Sequence, residues 1–241
     1  MSKQTSSTFH FKQFSIEQNQ AAMKVTLDAC LFAAYVAKQL PAQTRILDIG
    51  AGTGLLSLIL AQQHAVSIDA VEVDQQAAQQ AAINCQQNPV INVHHCQIQN
   101  FSPKHQYSCI ISNPPFFTDH LQAHNPQRNL ARHNQSLSFD QLCGDVKRLL
   151  EPASGEFWIL LPCNEVPRFL NSANKYALEL QSIVRIRSKS HKSPHRQFLK
   201  LRLGQSNQSP KCVQQSDITV LDEHGYTPRF AELLKDYYLK L

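Results

Sequence analysis

The hydrophobic pattern of this chain changes period repeatedly, and each change predicts an element. Phe9 to Phe14 is aromatic and basic and reads as extended. Leu27, Leu31, Ala34, Tyr35 and Lys38 recur at helical spacing. They predict a helix from Leu27 to about Gln39, with an apolar stripe, a polar end and Thr26 as its cap. From Arg45 onward, short apolar runs alternate with helical stretches. Strands are predicted at Arg45–Ile49, Ser67–Val73, Asn92–Ile98 and Tyr107–Ser112, and helices at Leu55–Gln63 and Gln75–Gln87, the latter capped by Asp74. The polar stretch 117–137, with His120, His124, Arg128, Arg132 and His133, reads as a mobile substrate loop. Ser138 and Gln141 then form a capping-box pattern that opens a helix to about Leu150. A strand at Glu156–Leu161 and a helix at Val166–Lys175 follow. Two strands, Glu179–Arg187 and His195–Leu203, flank a turn at Ser188–Pro194, and a last strand, Asp217–Leu221, precedes a helix over Arg229–Leu239.

Composition narrows the class. At 241 residues and 42% hydrophobic content, one domain is expected. It would comprise an N-terminal extension (1–40), a core sheet (41–204) and a C-terminal strand and helix (205–241). No apolar run approaches the ~18 residues of a membrane span. Met1 to Thr8 is polar with no apolar signal segment, so no membrane association is expected. The seven cysteines form no Cys-x-x-Cys pair and lie mostly in apolar surroundings, as reduced thiols do in a cytoplasmic protein. His94-His95-Cys96 would alternate between the two faces of a strand, and no metal is expected there. Net charge is +5, unevenly placed. Leu180 to Ser216 holds no Asp or Glu but carries Arg185, Arg187, Lys189, Lys192, Arg196, Lys200, Arg202 and Lys211. A one-signed stretch suits a polyanion; a solvated hairpin face is the alternative.

The chemistry concentrates where strands end. The first core strand runs into Gly50-Ala51-Gly52-Thr53-Gly54 and then a helix, the strand–turn–helix arrangement in which glycines let the backbone approach a nucleotide closely. The spacing is Gly-x-Gly-x-Gly, and Asp48 precedes it. An acid there repels a pyrophosphate but suits a ligand with an ammonium end, which favours S-adenosylmethionine over a dinucleotide. Glu72 ends the next strand, 18 positions after Gly54, where a carboxylate accepts ribose hydroxyls; an ordinary strand-end charge is the alternative. The fourth strand ends in Asn113-Pro114-Pro115-Phe116. The prolines stiffen the backbone and leave carbonyls outside any ladder. Asn113 and Pro114 then offer two acceptors for one amine, and Phe116 offers a flat face for a planar ring. A stiffened surface turn is the bland alternative.

This tetrapeptide resembles the Asn-Pro-Pro-Tyr/Phe signature of methyltransferases that act on planar amino nitrogens. Five βα units followed by a hairpin resemble the seven-stranded Rossmann-like methyltransferase fold: α/β, mostly parallel with an antiparallel last strand, and helices on both faces. Further segments resemble the bacterial valine-tRNA adenine-N(6) methyltransferases, within the class I S-adenosylmethionine-dependent methyltransferases. They are Met23-Lys24-Val25-Thr26 with Asp28, Ala131-Arg132-His133, Lys192-Ser-Pro-His-Arg196, Tyr226-Thr227-Pro-Arg-Phe230 and Leu234–Leu239. The resemblance spans Phe9 to Leu239. It implies that Lys24 and Asp28 lie near the cofactor. It also implies that Gln97 stands where relatives carry an adenine-binding Asp, its side-chain oxygen able to accept the same bond without the charge. The cofactor-binding set expected is Lys24, Asp28, Asp48, Gly50, Gly52, Gly54, Glu72, Gln97 and Asn113. The catalytic set is Asn113, Pro114, Pro115 and Phe116.

The resemblance implies methylation of the N(6) amine of the adenine beside the anticodon, with tRNA as partner and a monomer expected, a dimer being the alternative. Rival readings are a ribosomal-RNA guanine-N(2) or adenine-N(6) methyltransferase, a protein glutamine-N(5) methyltransferase, and an RNA-binding protein with a vestigial cofactor pocket. The guanine and glutamine enzymes typically carry an extra N-terminal domain, for which residues 1–44 leave no room. Intact glycines, Glu72 and Asn113 argue against a vestigial pocket.

Overall fold

Runs such as Phe157–Leu161 carry no polar position to present to water, and both faces of their strands are covered, as in parallel sheets. The computed structural model describes residues 8–19, 24–62, 66–115, 137–204 and 212–240. Phe116, Met23, Lys211 and residues 117–136 of the stretch expected to be a substrate loop lie outside them. In chain order the elements are β1 (Thr8–His10), β2 (Ser15–Glu17), α1 (Leu27–Ala37), β3 (Arg45–Ile49), α2 (Leu55–Leu60), β4 (Ser67–Glu72) and α3 (Gln75–Cys85). Then come β5 (Ile91–His95), a 3-10 turn (Ile98–Asn100), β6 (Cys109–Ser112), α4 (Phe139–Leu149), β7 (Glu156–Pro162) and α5 (Val166–Lys175). The chain finishes with β8 (Leu178–Lys189), β9 (Arg196–Leu203), β10 (Gln214–Asp222), β11 (Gly225–Tyr226) and α6 (Pro228–Leu234).

The main sheet has the order β11-β10-β8-β9-β7-β6-β3-β4-β5. β3 to β7 pair in parallel, and β9 runs antiparallel to both β7 and β8. The seven expected strands are therefore β3 to β9, the seventh reversed. The sheet is larger than seven because β10 adds in parallel to the open edge of β8, and β11 hairpins back on β10.

Alternation along the strands sends Ile46, Ile68, Ile111, Trp158 and Leu160 into one core, with α1, α2 and α6. Leu47, Val71, Ile110, Phe157 and Ile159 enter the other, with α4 and α5. α1 departs from the expected stripe. Eight of its residues are buried, because β7, α2 and α6 surround it. Thr26 caps it as expected, accepting from the Ala29 N–H at 3.3 Å, and Asp74 and the Ser138/Gln141 box cap α3 and α4. The final helix stops at Leu234, earlier than the periodicity predicts. Beyond it the chain folds back onto the N-terminal hairpin: the Lys12 N–H donates to the Tyr237 carbonyl at 2.8 Å, and Tyr238 packs edge-on against Phe9 and Phe11.

The turn into α2 depends on Gly54, whose φ is +83° and whose missing Cβ would sit 2.8 Å from the Cys85 sulfur. Gly54→Ala should lower unfolding free energy by about 1–3 kcal/mol, the usual cost of a side chain in left-handed backbone. Adding Cys85→Ala should return only the part due to the clash, which a double-mutant cycle by chemical denaturation measures.

Candidate active site

Parallel pairing brings the carboxyl ends of β3, β4, β5 and β6 to one edge. Ile49 lies opposite both Val71 and Ser112, and Glu72 lies opposite His95. Strand order reverses between β3 and β6, and such a switch point opens a crevice above the sheet.

The glycine turn is fixed from below. The Gly50 N–H donates to the Val71 carbonyl at 2.9 Å, and the Gly52 N–H donates to Glu72 Oε2 at 2.8 Å. Glu72 Oε1 accepts from the Asp74 N–H at 2.9 Å. A carboxylate has about four acceptor positions, so Glu72 pins two loops and keeps capacity for hydroxyls. It is 8% exposed at the edge.

Asp48 is fully buried beneath the turn. Its Oδ2 accepts from the Ser57 hydroxyl at 2.7 Å, and its Oδ1 has no partner among the described residues. Burial pushes its carboxyl up to about 7, and the neighbouring Glu72 adds to the rise, although the Ser57 hydrogen bond opposes it.

On β6, the Ser112 hydroxyl donates to the Ile49 carbonyl at 2.8 Å and locks the strand end beside the glycine turn. Asn113 follows half-buried, Pro114 is buried and Pro115 exposed. Phe116 lies outside the described residues.

Other expected positions fall differently. β5 ends at His95, so Gln97 lies past the strand, exposed at the start of the 3-10 turn. Its distance from the strand end follows from the Cys96 N–H, which closes the ladder on the Glu72 carbonyl at 3.1 Å. Lys24 is exposed ahead of α1. The Asp28 carboxylate meets His195 Nε2 at 3.2 Å and Arg196 Nε at 3.6 Å.

Five of the eight cations in the basic stretch pair with three acids outside it. Arg185 and Arg187 pair with Asp217, Lys200 and Arg202 with Glu156, and Arg196 with Asp28. Two supporting residues went unread in the sequence: Ser57, and Asn84, whose Nδ2 donates to the Thr53 carbonyl at 2.9 Å and the Glu17 carbonyl at 3.0 Å. Both sit on helices where a polar residue has no distinctive spacing. His94 binds Asp69 at 2.6 Å, and among the described residues no group of three metal-binding side chains forms.

The methyltransferase small domain family matches residues 24–137. The tRNA1(Val) (adenine(37)-N6)-methyltransferase of Dyadobacter fermentans is 40% identical over 238 residues, 96% of this chain and 97% of its own. The chain belongs to the tRNA1(Val) (adenine(37)-N6)-methyltransferase family. A second member of the family, from Phocaeicola vulgatus, is 37% identical over 237 residues, with 97% and 98% covered. Among solved structures, a predicted O-methyltransferase from Agrobacterium tumefaciens shares the fold at a TM-score of 0.66 and 16% identity, covering 87% of this chain and 96% of that one.

S-adenosylmethionine is the cofactor of this family's class, and the residues present fit it. A buried carboxylate oxygen without a partner suits its ammonium, Glu72 suits its ribose, and the Gly50 and Gly52 positions have nothing within 4 Å of an added Cβ, leaving room for close approach.

Asp48 makes the ligand-free protein pH-sensitive. A carboxyl raised from 3.8 to about 7 stabilises the fold fully below about pH 4, and that contribution is lost as pH rises through about 7. Asp48→Asn has no such loss. Between pH 5 and pH 8 the unfolding free energy of Asp48→Asn should gain on the wild type by on the order of 2 kcal/mol, at about 1.4 kcal/mol per pKa unit. Parallel urea titrations without cofactor measure the difference; equal pH slopes would show that Asp48 is ionised throughout.

Proposed function

We propose that this chain transfers a methyl group to the exocyclic N(6) amine of adenine in tRNA, at the base 3′ of the anticodon of valine tRNA, acting as a single-domain cytoplasmic monomer. The observation that carries the reading is the placement of Asn113-Pro114 at the switch point. Ser112 holds the motif one strand away from the glycine turn, in a chain that matches tRNA1(Val) (adenine(37)-N6)-methyltransferases along 96% of its length.

S-adenosylmethionine, when bound, supplies an electrophilic methyl group. Asp48, Gly50, Gly52, Gly54, Glu72, Gln97 and Asn113 would hold it, with Lys24, exposed ahead of α1, added by the family resemblance. The chain's own work concerns the acceptor. The adenine amine is a poor nucleophile because its lone pair is delocalised into the ring. The Asn113 side-chain carbonyl and the Pro114 main-chain carbonyl would each hold one amine hydrogen. That draws the nitrogen toward tetrahedral geometry and frees its lone pair. These groups include no strong base, so orientation and electrostatics supply the rate; the N–C bond would form as the methyl's bond to sulfur breaks, and the amine's surplus proton would then leave to solvent. Phe116, by residue type, would give the unstacked base a face to rest on; an anticodon-loop base costs less to extrude than one in a duplex.

Wild-type protein with labelled cofactor and tRNA lacking this modification should yield N(6)-methyladenosine by nucleoside mass spectrometry. Asn113→Ala should lower kcat by about 10²–10³, the cost of removing one aligned hydrogen-bonding group from a transition state. Label in ribosomal RNA guanine or in protein glutamine would refute the substrate. Glu72→Gln should raise the cofactor Kd by about tenfold or more, because a bond to a charged acceptor contributes about 1.5–3 kcal/mol. Calorimetry checks this; an unchanged Kd would remove Glu72 from the cofactor set.

A further inference from the structure

The β8–β9 turn is more highly organised than a solvated hairpin tip requires. Within the turn, the Lys192 N–H donates to the Lys189 carbonyl at 3.0 Å, and the Arg187 guanidinium donates to the Lys192 carbonyl at 3.1 Å. At its return, the His195 N–H donates to the Ile186 carbonyl at 3.0 Å, and the Cys163 thiol reaches the Pro194 carbonyl at 3.2 Å. From the far side, Asp28 at the start of α1 takes both His195 and Arg196. Its own strand β8 and two separate segments, at Cys163 and Asp28, therefore brace the turn. The side chains of Lys189, His191 and Lys192 are left exposed.

Charge sorting gives the brace a direction. The strand cations are paired with Asp217, Glu156 and Asp28, whereas no ion pair to Lys189 or Lys192 forms among the described residues. Asp28 already faces two basic groups. The chain holds no acid from residue 180 to 216, and the acids Asp222 and Glu223 follow Leu221, which is level with Lys189 on β10.

Topology places the tip over the acceptor half. β8 runs parallel to β7, so Lys189 lies at the same sheet edge as Asn113. Ser112 is level with Ile159; Pro162, three positions on, is level with Arg196 and Ile186; Lys189 lies three further. At about 3.3 Å per residue, Lys189 stands roughly 20 Å of strand beyond Ser112. That is too far to touch a base seated at Asn113. It suits backbone phosphates several nucleotides away.

We infer that the β8–β9 turn is a preorganised clamp for RNA phosphates, with Lys189 and Lys192 as its phosphate-binding side chains and Asp28 as the positioning residue that latches it to α1. The inference rests on the tRNA reading above, and it moves Asp28 from the cofactor to the RNA. Phosphate contacts position a nucleic acid and carry the salt dependence of binding.

The test measures methyl transfer to unmodified tRNA across a salt series, with cofactor Kd by calorimetry, for wild type, Lys189→Glu with Lys192→Glu, Asp28→Asn and Asp28→Glu. The lysine pair is expected to raise KM for tRNA about tenfold or more and to flatten the salt slope by roughly two, one for each phosphate that is no longer neutralised. Its cofactor Kd should match wild type. Asp28→Asn should raise KM for tRNA several-fold with the cofactor Kd unmoved, and Asp28→Glu should restore most of the loss. A lysine pair with wild-type KM and salt slope overturns the clamp. A raised cofactor Kd in Asp28→Asn with KM for tRNA unmoved overturns the latch and returns Asp28 to the cofactor. Failure of the tRNA reading shows separately, as a wild-type arm that methylates no tRNA.

Discussion

The site depends on two acids held close together at the carboxyl ends of β3 and β4. Glu72 fixes the glycine turn by accepting from the Gly52 N–H, and Asp48 lies buried beneath that turn with one oxygen unpartnered among the described residues. Burying a carboxylate without compensation is costly, and a second acid nearby makes it worse. Ser57 offsets only part of this. A cationic ligand group would relieve both terms together. The arrangement is thus unfavourable when empty and selective when filled.

Much of this was legible in the sequence because the signals are local. A strand, three glycines and a helix within 16 residues leave few alternative backbones, and Asp48 and Glu72 sit at fixed offsets from them. Caps at Thr26, Asp74 and Ser138 were readable for the same reason: the donors they satisfy lie within three residues.

What sequence could not reveal is long-range. The stretch from Leu180 to Ser216 reads as uniformly basic, yet five of its eight cations are held in ion pairs by Glu156 on β7, Asp217 on β10 and Asp28 on α1. Those acids become neighbours only through sheet order. The burial of α1 is another case. By periodicity it shows one stripe, Leu27, Leu31, Ala34 and Tyr35, but three elements pack around it and eight of its residues are buried. The strand at Asp217–Leu221 was legible, but its pairing with the open edge of β8 and the short return strand β11 are properties of the assembled sheet. The end of the third core strand was overrun by a shorter route, since apolar Ile98 extended the predicted strand past His95, whereas that residue belongs to a 3-10 turn.

The reversal of strand order between β3 and β6 ties these points together. β4 and β5 spread from β3 to one side, and β7, β9 and β8 spread from β6 to the other. The acids and glycines lie on the first side, and the braced cationic turn lies on the second. Asn113 stands at the junction, one residue past the Ser112 hydroxyl that joins β6 to β3. A chain that must bring a cationic small molecule and a polyanion to one atom has to keep their opposing electrostatic requirements apart. Placing the acidic glycine turn and the cationic hairpin tip on opposite sides of one strand pair does this, with a neutral amide and two prolines at the junction.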